Sequence, residues 1–146
     1  MDVQLATFIF KVSNALILPF WLIHLVAPYS KVSEFLARWK IGPLLVSIFY
    51  AFGLFTSFDL ELFKELANPD LLKLTELFSD PVGVSVGWLH FLAFDLFVAE
   101  TFIEKPKKLR ISAWLLRVAI FFTLMMGPVG FVLFYLFSIP KIRKKP

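Results

Sequence analysis

Apolar residues run in four long blocks along this chain, and polar positions mark where each block starts and stops. Leu5–Ala27, Ile41–Phe58, Val82–Phe102 and Trp114–Ile139 each approach or exceed the roughly 20 mostly apolar residues that a helix needs to cross a bilayer. The links Tyr29–Lys40 and Glu104–Arg110 are short and basic. Asp59–Asp80 is rich in acids, yet Leu62, Leu66, Leu71, Leu74 and Phe78 recur in it at helical spacing, divided at Asn68-Pro69-Asp70. This predicts an amphipathic connector on the membrane surface, long enough to lid one mouth of a bundle. Asp80-Pro81 reads as an N-cap followed by proline at the first helical position. The pattern as a whole predicts an all-α polytopic membrane protein: one membrane domain over 1–146, built as a four-transmembrane-helix bundle with the connector between the second and third helices.

Composition strengthens this reading. The chain is 59% hydrophobic with a mean hydropathy of +0.79, well above a soluble domain. It has no cysteine, which excludes disulfides and thiolate metal or nucleophile sites. Its net charge of +4 sits in short runs beside apolar blocks, so membrane lipid and not nucleic acid is the expected partner. The first block lacks a basic leader region and a cleavage site, and is expected to be a true span with neither a secretory leader nor a plastid transit peptide. Orientation is undecided. With four spans, Lys31, Arg38, Lys40, Lys105, Lys107, Lys108 and Arg110 oppose Lys64, Lys73, Lys141, Arg143, Lys144 and Lys145, a nearly even division that leans weakly towards cytoplasmic short loops.

A rise of 1.5 Å per residue converts position into depth. Measured from the connector side (side A), His90 lies roughly 12 Å in and Asp95 roughly 20 Å in, near the midplane. On the first helix Lys11 and Asn14 lie at about 9 and 14 Å, and the Gly127-Pro128-Val129-Gly130 stretch at about 14–18 Å. Asn14, His90, Asp95 and that break are therefore expected in one layer. Lys11 is expected to snorkel, His24 to be an interfacial histidine near the opposite face (side B), and Arg117 to snorkel or pair with a loop.

A midplane carboxyl must be neutral, paired or wet. With no basic residue at its depth, Asp95 is expected to be neutral, serving either as a general acid or as an interhelical hydrogen-bond donor. His90 is a candidate base or a helix bridge. The two are five residues apart, about 140° around a helix, which suits separate tasks and makes a poor chelating pair. No metal site is expected. Trp88 and Phe91 share the stripe of Asp95, while Thr123, Gly127 and Gly130 form a small-residue stripe that either packs closely or makes room for a flat ligand.

Together these motifs resemble the abscisic-acid-deficient-four-like membrane proteins, whose plant members are neoxanthin synthases. The resemblance runs from about Phe8 to the last block. It rests on Ala15-Leu16-Ile17-Leu18-Pro19-Phe20 with Val26-Ala27-Pro28, Leu77-Phe78-Ser79-Asp80, Trp88-Leu89-His90-Phe91-Leu92 with Asp95-Leu96-Phe97, and Gly127-Pro128-Val129-Gly130. It implies a cofactor-independent isomerase that opens the epoxide of a carotenoid, or acts on another isoprenoid lipid, to form an allene. Asp95 and His90 would then be the acid and base. Asn14, Trp88, Phe91, Gly127, Pro128 and Gly130 would line the substrate. A bacterial inner membrane is the expected location. A non-catalytic pigment-binding or assembly protein is the alternative, and a small carrier or channel ranks below both.

Overall fold

Polar residues at the edges of the apolar blocks fix where the helices begin. In the computed structural model, which describes residues 1–57, 64, 67, 68, 70–104, 109 and 111–142, the carboxylate of Asp2 accepts from the Leu5 amide at 2.7 Å and opens α1 (Val3–Val26). Ser30 caps α2 (Lys31–Trp39) through the Ser33 amide at 3.1 Å. Lys40 adopts a left-handed conformation (φ 52°), which ends α2 and redirects the chain into α3 (Ile41–Thr56). Asp70 caps the short α4 (Leu71–Leu77). Asp80 accepts from the Val82 and Gly83 amides at 2.9 and 3.1 Å and starts α5 (Pro81–Glu104), as its position before Pro81 predicts. Two shorter helices follow, α6 (Ala113–Met126) and α7 (Pro128–Ile142). Among the described residues there is no strand.

Three helical segments are long and apolar enough to cross a membrane: α1, α2 continued into α3, and α5. The basic link expected at Tyr29–Lys40 is thus largely helix. Much of the expected amphipathic connector (58–63, 65, 66 and 69), most of the basic loop (105–108 and 110) and the tail (143–146) lie outside the described residues.

Helix α5 is central, touching α1, α2, α3, α6 and α7. Lipid tails are as apolar as leucine, so close packing rather than hydrophobic burial must hold such helices together. Glycines provide it. A Cβ at Gly42 would overlap Leu96 and crowd Phe20, and one at Gly53 would press on Val86. Leu89, Leu96 and Ala99 of α5 are completely buried.

The fourth apolar block does not form one span. It turns at Gly127, and α7 folds back along α6. Gly130 seats against the Thr123 hydroxyl and the Ala119 carbonyl, where any Cβ would collide, and such an approach is out of reach for one continuous helix. Helix α6 starts beside the end of α1: Arg117 donates to the carbonyls of Leu25 (3.0 Å) and Val26 (2.8 Å), and Tyr29 Oη donates to the Ile111 carbonyl at 2.6 Å. It descends until Gly127 meets Asp95. Helix α7 then climbs alongside α5, so that Phe134 stacks on Phe102 with centroids 4.2 Å apart and planes 8° from parallel. The hairpin therefore begins and ends on side B. The opposite end of the bundle is marked by the Met1 ammonium, which donates to the Thr56 carbonyl at 2.9 Å. Helices α6 and α7, with 14 and 15 residues, are each only about 21–23 Å long, shorter than the roughly 30 Å apolar core of a bilayer.

Candidate functional site

Asp95 borders a cavity of about 480 Å³ enclosed by α1, α5 and the turn of the hairpin. Helix α1 supplies Asn14 and Trp21, α5 supplies Trp88, Phe91 and Asp95, and the turn supplies Gly127 and Pro128. Glycine is required at 127 because a Cβ there would overlap the Asp95 carboxylate. Asn14 ties two of the walls together. Its amide donates to the Phe10 carbonyl at 2.6 Å, and its carbonyl accepts from the Trp88 indole at 3.1 Å. Trp21 is 1% exposed, and its Nε1 is buried without a partner. Asp95 itself is half-buried and has no protein hydrogen bond among the described residues. The interhelical bond that would make it purely structural is missing.

Of the residues expected in one layer, the structure brings Asn14, Asp95, Gly127 and Pro128 together, with Trp88 and Phe91 beside them. His90 is elsewhere. It lines a second cavity, about 310 Å³, between α3 and α5, with Tyr50, Ser57, Phe78 and Gly87. Its ring stacks on Phe94 (4.7 Å, 24°) and meets Tyr50 edge-on at 5.6 Å. Phe91 borders both cavities. Gly130, expected to line the substrate, instead packs against α6 outside both cavities.

Side B holds a polar cluster that depth arithmetic does not reveal. His24 is completely buried, not interfacial: Nδ1 lies 2.8 Å from Ser33 Oγ and Nε2 lies 3.4 Å from Glu100 Oε1. Glu100 is equally buried. Lys40 Nζ stands 4.0 Å from Glu100 Oε2, 2.8 Å from Glu104 Oε1 and 5.4 Å from the centroid of the Phe97 ring. Arg117 neither snorkels nor pairs with a loop, because it closes the C-terminal carbonyls of α1. The cluster ties α1, α2 and α5 at one end, away from both cavities. Among the described residues no group of three or more His, Cys, Asp or Glu is arranged to hold a metal ion.

Comparison with known proteins gives one consistent answer. The sequence profile of the ABA DEFICIENT 4-like family matches residues 8–134. The chain is 25% identical over 134 residues to Protein ABA DEFICIENT 4, chloroplastic, of Arabidopsis thaliana, a match covering 88% of this chain. It spans 60% of that relative's length. The relative is chloroplastic, which lends no support to the bacterial inner membrane expected from the sequence. No solved structure matches this chain.

Proposed function

Because the chain belongs to the ABA DEFICIENT 4-like family, we propose that it is an integral membrane protein whose Asp95 cavity binds an oxygen-bearing isoprenoid of the carotenoid type and isomerises it. The observation carrying this reading is a carboxyl near the middle of a spanning helix, beside a cavity, with no hydrogen bond to any described residue. Such a group is costly to keep in a bilayer unless a ligand uses it. A cavity of about 480 Å³ suits one end of an elongated apolar molecule, the rest lying in lipid.

The chemistry follows the resemblance to neoxanthin synthases. A neutral Asp95 gives its proton to the epoxide oxygen as the C–O bond breaks, leaving a hydroxyl and an electron-deficient carbon. The resulting carboxylate then takes a proton from the neighbouring carbon, and the freed electron pair completes the allene. Asp95 ends protonated, so the step is a balanced isomerisation. One carboxyl acting twice replaces the acid and base pair expected from Asp95 and His90, since His90 borders the other cavity. The hydrogen bond between Asn14 and Trp88 braces the α1 wall of the cavity against the α5 wall.

In a bilayer this fold is three spans with α6 and α7 as a re-entrant hairpin, in place of a fourth span. Lys141, Arg143, Lys144 and Lys145 then follow the hairpin on side B, joining Lys31, Arg38, Lys40, Lys105, Lys107, Lys108 and Arg110, against Lys64 and Lys73 on side A. The near-even count becomes one-sided, and side B is cytoplasmic.

The test is incubation of purified protein in nanodiscs with an epoxy-carotenoid, followed by chromatography. Wild type should form an allenic isomer, and Asp95→Asn should lose at least about a hundredfold in rate while inserting normally. Pigment retained by wild type without conversion would replace the isomerase with the pigment-binding alternative.

A further inference from the structure

The His90 cavity is left unused by this chemistry, and it has the features of a site in its own right. His90 sits about 13 Å inside α5, counted from Pro81. Its imidazole is exposed from the protein and has no hydrogen bond to any described residue; it makes ring contacts with Tyr50, Phe91 and Phe94 and lies within electrostatic reach of Asp95. An imidazole carries one donor and one acceptor whichever tautomer is present, and leaving both unmet among hydrocarbon is expensive. A second unmet group lines the same cavity, since Ser57 Oγ is buried without a partner.

The cavity is also built rather than incidental. At its side-A end the last residue of α4 and the one after it are laid onto α5 at two glycines. Leu77 passes over Gly83 and the Phe78 ring over Gly87, and a Cβ at either glycine would collide with what covers it. All four of these residues line the cavity between α3 and α5. Its volume of about 310 Å³ lies at the lower end of the range for small-molecule sites.

We propose that this cavity is a second ligand site, for a membrane-soluble hydrocarbon that carries a hydroxyl group. The hydroxyl meets the His90 imidazole, and the hydrocarbon lies between Leu54 and Phe91 and enters from the bilayer. Phe91 also borders the Asp95 cavity, so the two sites adjoin. The inference does not rest on the isomerase reading.

The test uses all-trans-retinol, a fluorescent isoprenoid alcohol, and the corresponding hydrocarbon lacking the hydroxyl, titrated into the full chain in nanodiscs. Wild type should bind the alcohol about tenfold more tightly than the hydrocarbon, the worth of one hydrogen bond in an apolar site. His90→Phe should abolish that preference and His90→Gln should restore part of it. Leu54→Trp, which fills the cavity, should remove binding of both ligands at this site. Equal binding of the two ligands by wild type, no binding of either, an unaltered preference in His90→Phe, or unaltered binding in Leu54→Trp would each overturn the proposal. So would a preference lost in Asp95→Asn instead, because the hydroxyl would then sit in the other cavity. Loss of isomerisation in Asp95→Asn is read separately and bears only on the first site.

Discussion

The hairpin can be tested without disturbing any site, because the chain contains no cysteine and every introduced thiol reports alone. Three positions suffice: Lys31→Cys at the start of α2, Ser79→Cys just before α5, and Lys141→Cys near the end of α7. Lys31 and Ser79 are both exposed. Were Trp114–Ile139 a single helix, its ends would stand about 38 Å apart, enough to carry residue 141 to the side of Ser79. In the observed fold α6 descends about 20 Å and α7 returns about 21 Å, so the net displacement across the membrane is close to zero. A membrane-impermeant maleimide applied to sealed vesicles of known orientation should therefore modify the Lys31→Cys and Lys141→Cys variants from the same side, the cytoplasmic one, and the Ser79→Cys variant from the other. Met126→Cys, next to the turn and 59% exposed, should resist the reagent from both sides because lipid surrounds it. Labelling of Lys141→Cys from the side that labels Ser79→Cys would refute the hairpin, and with it the one-sided charge count.

Other expectations follow from individual contacts. Gly130→Val drives a side chain into the Thr123 hydroxyl and Ala119 carbonyl, and should lower stability to thermal unfolding in detergent by about 1–3 kcal/mol or more. His24→Ala leaves buried Glu100 without its histidine and should cost about 3 kcal/mol in the same assay. The double variant with Glu100→Leu should recover part of that loss, because the uncompensated carboxylate is gone. Burial holds the Tyr29 phenol above its ordinary pKa, so its proton, donated to Ile111, is retained when an unfolded tyrosine has begun to lose its own. That stabilisation is complete below the unfolded value near 10 and disappears as pH rises through the folded one. Ultraviolet difference titration against Tyr29→Phe should show Tyr29 ionising above the ordinary tyrosine range, and the stability difference between the two proteins shrinking at high pH. Asn14→Leu strands the Trp88 indole and should destabilise by about 1–2 kcal/mol, relieved by adding Trp88→Phe.

Asp95, Asn14, Gly127 and Pro128 were legible as one layer because helix rise alone converts sequence position to depth, and Trp88 through the stripe it shares with Asp95. The separation of His90 from Asp95 was legible in part, from their five-residue spacing, although only the packed helices show that the two line different cavities. The hairpin was not legible from hydropathy, which is continuous through Gly127 and carries no direction. Its signal was the pairing of small residues at Ala119, Thr123 and Gly130, which allows a backbone to return along itself. Helix α2 was hidden by its charges, although Ser33 and Ala37 recur at helical spacing on the face it buries. The His24 cluster was hidden by distance along the chain: Ser33 is nine residues away and Glu100 seventy-six.

The return of α7 along α6 also bears on how the protein is made. Neither half is long enough to be handed to the bilayer as an independent span, and the pair lodges between helices synthesised earlier, with Arg117 on the end of α1 and Phe134 on Phe102 of α5. The proposed re-entrant topology predicts an ordered biogenesis, with the three long segments inserting first and the hairpin settling afterwards into the recess they leave. Since Gly127 and Pro128 form one wall of the Asp95 cavity, that cavity exists only after the final third of the chain has left the ribosome. A nascent or truncated chain that has inserted perfectly well still has no site.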